Sequence, residues 1–398
     1  MHQEVRGMRR LYLILISSLV ALFVAEMSLR RWFPVGGTIY VLHPQLLHAT
    51  RPGSRRIQPM PESAGGARSL IVINSSGYRG PELERSGRPR VAVYGDSLVM
   101  GENVAQEDTF VVRLAGEWEG VAEVVNAGAS GYGPDQACLR IEQELETLRP
   151  DLIILVLCAT NDMGDLLRNK LFRLEQGQLE RGHPVLHESV RVKFEEALKA
   201  SSRLALLRAL DHARDDGIEE QEAIPGAASG LIPEYLEQAA WEFREGVQEG
   251  GETVFSLLKD VYDADLAVHP ESAMAQYKRD LMAAVLSRLA RVCAADGVPL
   301  VCVVVPSPVD LDPDFRIRVE RALFPSYEPQ RLTNACADAA RSAGIEVHDL
   351  YGLFATSDPG QNFVGAEDIH WNERGMALAA KDVASWVRGL EIGALLSR

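Results

Sequence analysis

The chain has 398 residues, 46% of them hydrophobic and 24% charged, with a formal net charge of -15. That usage is ordinary for a globular protein and is enough for one large domain with insertions or for two domains. The acidic balance, with no long basic block, excludes a protein that tracks a phosphate backbone, so no nucleic-acid partner is expected.

The chain opens with Arg6, Arg9 and Arg10, and residues 11–25 then carry no charge at all. Fifteen helical residues span only about 22 Å, short of a hydrocarbon core of roughly 30 Å. The span reaches if it extends to Leu29 or Trp32, with Arg30 and Arg31 snorkelling to the interface. This segment is expected to be a membrane anchor with the bulk of the chain outside the cytoplasm. A cleaved signal peptide is the competing reading, although Phe23 before Ala25 makes a poor cleavage site. Residues 34–89 are rich in Pro, Gly, Arg and Ser and read as a stalk and lead-in, with one short strand over residues 69–74.

From Arg90 the pattern alternates between strands and helices. Residues 91–94 suit a buried strand that stops at Gly95-Asp96-Ser97. A helix follows near 108–118, then a strand over 123–126, then a helix opened by Pro134. Residues 151–158 and 298–305 are continuous apolar runs, the mark of central strands buried on both faces. A shorter run covers 345–348, and a helix from about Asn372 to Leu390 closes the pattern. This alternation predicts an α/β fold, a three-layer α/β/α sandwich on a parallel sheet. Residues 165–291 interrupt it and read as a helical insertion able to roof the sheet edge or to serve only for packing.

Five cysteines form no C-x-x-C pair and no zinc spacing, and their odd number leaves the redox compartment open. His183 and His187 have metal-like spacing, but Pro184 between them spoils a shared helical face. No metal and no cofactor is expected.

Four polar segments fall just after strands or before a helix: Gly95-Asp96-Ser97, Asn126 to Gly133, Ala159-Thr160-Asn161-Asp162, and Asp368-Ile369-His370-Trp371-Asn372. Each alone has an ordinary explanation, such as a strand-ending turn, a glycine-rich loop or a helix cap. Together, in this order, they resemble the SGNH/GDSL hydrolase superfamily, and in particular its bacterial membrane-anchored members. The likeness covers about 90–164 and 298–390.

The resemblance implies a flavodoxin-like five-stranded sheet and a set of roles. Ser97 would be the nucleophile and His370 the base that takes its proton. His348 is a reserve base on an apolar strand end. The carboxylate behind the imidazole would be Asp368, two residues before the histidine, or Glu367, three before; Asp368 is favoured. The oxyanion hole would take the N–H groups of Ser97 and Gly128 and the carboxamide of Asn161. Asp96 is read as ordering the Ser97 loop. The expected activity is a serine esterase acting on a small-molecule or carbohydrate ester, tethered to a membrane by the N-terminal helix. The same residues serve an O-acyltransferase of a cell-surface polysaccharide, and a non-catalytic tethered binding module is the remaining alternative.

Overall fold

The computed structural model describes residues 2–35, 37–59, 68–84, 87–214, 231–258 and 261–396. Helix α1 (His2–Trp32) contains the charge-free run and is long and apolar enough to cross a membrane. Two antiparallel pairs follow, β1 (Tyr40–His43) with β2 (Leu47–Thr50), and β3 (Arg55–Pro59) with β4 (Arg68–Val72).

This lead-in is not the stalk that its composition suggests. Ile39, Leu46, Leu47, Ile71, Ile73 and Tyr78 are buried in the same core cluster as the central sheet. Each strand is short and hides one face, so no long apolar run announces the packing. Arg79 then bridges to Asn126, its N–H donating to the Asn126 carbonyl at 3.1 Å. That contact covers an otherwise open sheet edge.

The α/β core comprises β5 (Arg90–Gly95), α2 (Ser97–Met100), α3 (Phe110–Glu117), β6 (Glu123–Gly128), α4 (Pro134–Leu148), β7 (Leu152–Cys158) and α5 (Asp162–Asn169). The insertion follows, with a hairpin of β8 (Phe172–Glu175) and β9 (Gln178–Arg181), then β10 (Val185–Leu186), α6 (Glu188–Ser202), α7 (Ala205–Arg214), α8 (Leu231–Phe243) and β11 (Thr253–Val254). Next come α9 (Ala264–Val268), α10 (Ala273–Ala295), β12 (Leu300–Val305), α11 (Pro308–Leu311), α12 (Arg331–Ser342), β13 (Glu346–Asp349), α13 (Tyr351–Thr356) and α14 (Glu373–Gly389).

The central sheet runs β13-β12-β7-β5-β6 with every pairing parallel. Numbered along the chain this is the flavodoxin-like order 2-1-3-4-5, with the switch point beside β5. Strand side chains alternate between two apolar faces. Ala92, Tyr94, Ile153, Leu155 and Leu157 join the core beneath α4, α10 and α12. Val91, Val93, Ile154, Val156 and Val303 join the core beneath α3 and α14. Apolarity on both faces is why β7 and β12 read as unbroken runs.

Helix α10 packs on α4 and α12 and so belongs to the sandwich, not to the insertion expected over 165–291. The inserted segment also carries the short β8–β9 and β10–β11 pairs, too brief to register as strands in the sequence.

On α10, Lys278 is 1% exposed and donates to Asp263 (2.9 Å) and Asp265 (2.7 Å). Burial lowers its pKa, but the two carboxylates more than reverse this and hold it charged. Lys278→Met would leave two buried carboxylates without their cation. We expect it to lower unfolding free energy by about 3–5 kcal/mol, read as a fall in the urea midpoint of the full chain.

Candidate active site

Strand β5 delivers Ser97 to the carboxyl edge of the sheet. A Cβ at Gly95 would lie 2.6 Å from Val99 Cγ2 and 2.9 Å from the Val156 carbonyl, so only glycine lets the chain turn there. Asp96 caps α2, its Oδ1 accepting the Leu98 N–H at 2.8 Å, which is the loop-ordering part expected of it. Ser97 is the first residue of α2 and is 8% exposed.

His370 arrives on the loop before α14. Asn372 caps that helix, accepting the N–H groups of Arg374 (3.0 Å) and Gly375 (3.1 Å). Trp371 is fully buried, stacks on Phe110, and donates its indole N–H to the Leu98 carbonyl at 2.8 Å. Trp371 thus ties the histidine loop to the turn that carries Ser97. The carbonyl of His370 itself accepts the Val364 N–H at 2.8 Å.

The result is a continuous relay. His370 Nε2 lies 2.7 Å from Ser97 Oγ, and His370 Nδ1 lies 2.5 Å from Asp368 Oδ1. The same carboxylate oxygen accepts the His370 backbone N–H at 2.8 Å, and Asn103 reaches Oδ2 at 3.4 Å. Glu367 is exposed. Of the two adjacent carboxylates, then, the structure brings Asp368 to the imidazole. His348 sits elsewhere, bonded to Asp382 and stacked on Trp386. His187 caps α6 through the Ser189 N–H. Among the described residues no three metal-ligating side chains converge.

The oxyanion candidates divide. The N–H of Ser97 is at a helix start, where no intrahelical acceptor exists. Asn161, at the end of β7, is 2% exposed, and its carboxamide makes no hydrogen bond among the described residues; its Oδ1 is fully enclosed. Its backbone is gripped from behind, the carbonyl accepting Asp165 N–H (2.9 Å) and Arg168 Nη2 (3.2 Å).

Gly128 does not fit the part assigned to it from sequence. Its N–H donates to Asn126 Oδ1 at 3.1 Å, and a Cβ there would strike the Met100 nitrogen at 2.4 Å. Gly128 is a glycine because α2 packs on β6. Three residues on, Gly131 has φ +72° and lines the cleft with Ser97 and Ser130, and its N–H has no partner among the described residues. Of the two glycines, Gly131 is the one whose N–H stays unpaired among the described residues.

Ser97 and His370 open on a cleft of about 720 Å³. Its lead-in wall was missed in the sequence. There Glu102 accepts from Tyr40 Oη and Ser130 Oγ, each at 2.5 Å, and faces Arg56 at 3.5 Å. The insertion supplies Tyr235 and Leu258 to the lining, and Tyr262 follows from the loop before α9. A serine hydroxyl bonded to an imidazole, itself bonded to a carboxylate, is arranged for proton transfer from oxygen to nitrogen during attack on an acyl carbon.

Burial raises the Asp368 carboxyl, but the His370 charge and two hydrogen bonds outweigh it and hold the pKa below its ordinary value near 3.8. A carboxyl depressed in the folded state adds stability that is fully present above its unfolded pKa and lost as pH falls through the folded one. The stability difference between the wild type and Asp368→Asn should therefore shrink as the solution is acidified below about pH 5. Urea midpoints of both proteins across that range check it, and a gap that widens on acidification would refute the pairing.

Residues 262–396, about a third of the chain, match the family described as the SGNH hydrolase-like domain of the acetyltransferase AlgX. That stretch includes Asp368 and His370 but not Ser97 or Asn161. Solved structures similar to the chain include a lipase/acylhydrolase from Enterococcus faecalis, at 10% identity and TM-score 0.36, covering 76% of this chain and 96% of that one. The aryl esterase of M. smegmatis aligns at 15% identity and TM-score 0.33, covering 76% and 99%. A psychrotrophic esterase from Pseudoalteromonas aligns at 13% identity and TM-score 0.32, covering 75% and 98%. The comparison with curated proteins finds no match. Residues 262–396 are thus similar to an SGNH hydrolase-like domain, and the parallel five-stranded sheet is consistent with that fold.

Proposed function

We propose that this protein cleaves carboxylic esters through an acyl intermediate on Ser97. The observation that carries the reading is the relay from Ser97 Oγ through His370 to Asp368, with both links within hydrogen-bond distance. Ser97 Oγ attacks the ester carbonyl while His370 Nε2 takes its proton. The carbonyl oxygen becomes an oxyanion, met by the N–H groups of Ser97 and Gly131 and by the Asn161 carboxamide. Asp368 holds the imidazole by Nδ1 and stabilises the imidazolium. The imidazolium returns its proton to the leaving alkoxide as the C–O bond breaks. A second nucleophile, deprotonated by His370, then releases the acyl group and restores Ser97.

If water is that nucleophile, the protein is an esterase. A second reading is favoured by the family description, which is that of an acetyltransferase. In it a carbohydrate hydroxyl takes the acyl group, and the polar wall of Arg56, Glu102 and Asn103 supplies hydrogen-bonding groups for such an acceptor. In either case α1 would anchor the domain, with the cleft on the extracytoplasmic side. A tethered binding module without chemistry would not need the relay.

Turnover of p-nitrophenyl acetate by the full chain tests this, with and without an oligosaccharide acceptor. Ser97→Ala should lose at least about 10³-fold in kcat. Loss of one oxyanion donor in Asn161→Ala should cost about 10²–10³-fold in kcat with little change in KM. Hydrolysis indifferent to the acceptor identifies an esterase; acyl transfer at the expense of hydrolysis identifies a transferase. Ester turnover unaffected by Ser97→Ala would overturn the mechanism.

The cap on Asp368 gives a second check. Asn103→Ala removes the side chain that, among the described residues, reaches Oδ2, so kcat should fall modestly, about threefold to tenfold, with the acid limb of the pH–rate profile displaced upward. An unchanged profile would leave Asn103 a cleft residue only.

A further inference from the structure

Glu26 stands one residue past the charge-free run of α1, and its carboxylate is engaged with the insertion. It accepts the N–H groups of Ala205 (2.9 Å) and Leu206 (3.1 Å), the first residues of α7, and is bonded to Arg30. A carboxylate there satisfies orphan N–H groups and the positive end of the helix dipole. The contact sets α7 at the level where the apolar run ends. Just upstream, Ser201 Oγ accepts the Thr38 N–H at 2.8 Å, and Thr38 lines the cleft that holds Ser97. A Cβ on Gly37 would come within 2.5 Å of Ser201 Oγ, so these segments meet with no space between them. The end of the apolar helix, the α6–α7 joint and the cleft rim form one continuous contact.

The surface around this joint differs from the rest of an acidic protein. Arg30, Arg31, Arg51, Arg55, Arg203 and Arg208 gather there. Burial, the larger cause, and then the charge of Arg31 lower the pKa of Arg55; burial and then Arg30 and Arg51, against Glu26, lower that of Arg208, which places these arginines within reach of one another. Among them Leu204 is 53% and Leu207 42% exposed, and Trp32 and Phe33 are exposed where α1 ends. Exposed aliphatic and aromatic side chains within a cationic ring suit an anionic lipid interface.

We propose that the α6–α7 joint is a membrane-docking surface. Leu204 and Leu207 enter the headgroup layer of an anionic bilayer, the arginines meet lipid phosphates, and the cleft is held close to the lipid surface. The proposal rests on α1 being a membrane anchor. Continuity with α1 and the local charge, opposite to that of the whole chain, favour lipid over a second copy or another protein.

The five native cysteines are buried, so single introduced cysteines can be labelled in the full chain. Leu207→Cys, Leu19→Cys in α1, and Glu346→Cys at the far end of the sheet would each carry an environment-sensitive fluorophore. The proteins go into nanodiscs of phosphatidylcholine with or without phosphatidylglycerol, each containing spin-labelled lipid. The expected result is quenching at 207 several-fold above that at 346, stronger with phosphatidylglycerol, together with quenching at 19. Quenching at 19 with none at 207 leaves the anchor standing and overturns the docking. No quenching at 19 removes the anchor and the proposal with it. Equal quenching at 207 in the two lipid mixtures overturns the anionic-lipid assignment. Protection of 207 from an aqueous quencher without lipid quenching means a protein partner or second copy covers the joint, and also overturns it.

Discussion

The close approach of α2 to the carboxyl edge of the sheet is the constraint on which the site depends. Gly95 and Gly128 are paired in register on neighbouring strands. A side chain at either would collide with the first turn of α2. With both absent, α2 lies against β6 and β7, and Ser97 is held at its start with a backbone N–H facing outward from the helix. Asn126 completes the arrangement, donating to the Val99 carbonyl (2.8 Å) while accepting from Gly128. The position of the hydroxyl is thus set by backbone packing, and no flexible side chain decides it.

The histidine comes from far along the chain, and its loop has few regular hydrogen bonds of its own. Its order comes from burying Trp371 between Phe110 and Phe354 while the indole N–H finds the Leu98 carbonyl. A buried aromatic of this size, with its polar atom satisfied, provides enough burial to fix a short loop. Asn372 adds a second hold, bonding the Phe363 carbonyl (2.8 Å) as it caps α14. His370 lies between these two anchors, which is why it reaches Ser97 and Asp368 at once.

Much of this was legible in the sequence because its cause is local. The apolar run before Ala159 is a strand buried on both faces, and it could be read to within a residue of β7. Ser97, Asn161 and His370 stand at ends of elements, where composition changes sharply. Asp368 against Glu367 is a different kind of question. The two carboxylates are neighbours, and the choice depends on how the Phe363–Trp371 bridge turns the loop. Gly128 against Gly131 turned on strand length, since β6 runs two residues past the expected end at Asn126 and so absorbs Gly128 into the sheet. The lead-in was misread because its packing side chains are spread over short pieces among Pro, Gly and Arg, and their partners lie far away in sequence.

Buried charge is concentrated behind Asn161. There Arg168 joins Asp165 and Glu242, and Lys278 joins Asp263 and Asp265. Arg168 also grips the Asn161 carbonyl, Asp263 N–H donates to the Thr160 carbonyl (2.8 Å), and Asp263 Oδ2 accepts the Gly164 N–H (3.0 Å). Buried ion pairs are a weak source of stability, because desolvation offsets most of their attraction. Their effect here is geometric: they fix the backbone on both sides of a carboxamide that has no hydrogen bond among the described residues. A donor meant to meet charge that appears only in a transition state must be held without being satisfied beforehand. The proposed oxyanion role of Asn161 sets both conditions, and a rigid charged scaffold beneath its amide suits them in a way that a solvated loop or an apolar pocket would not.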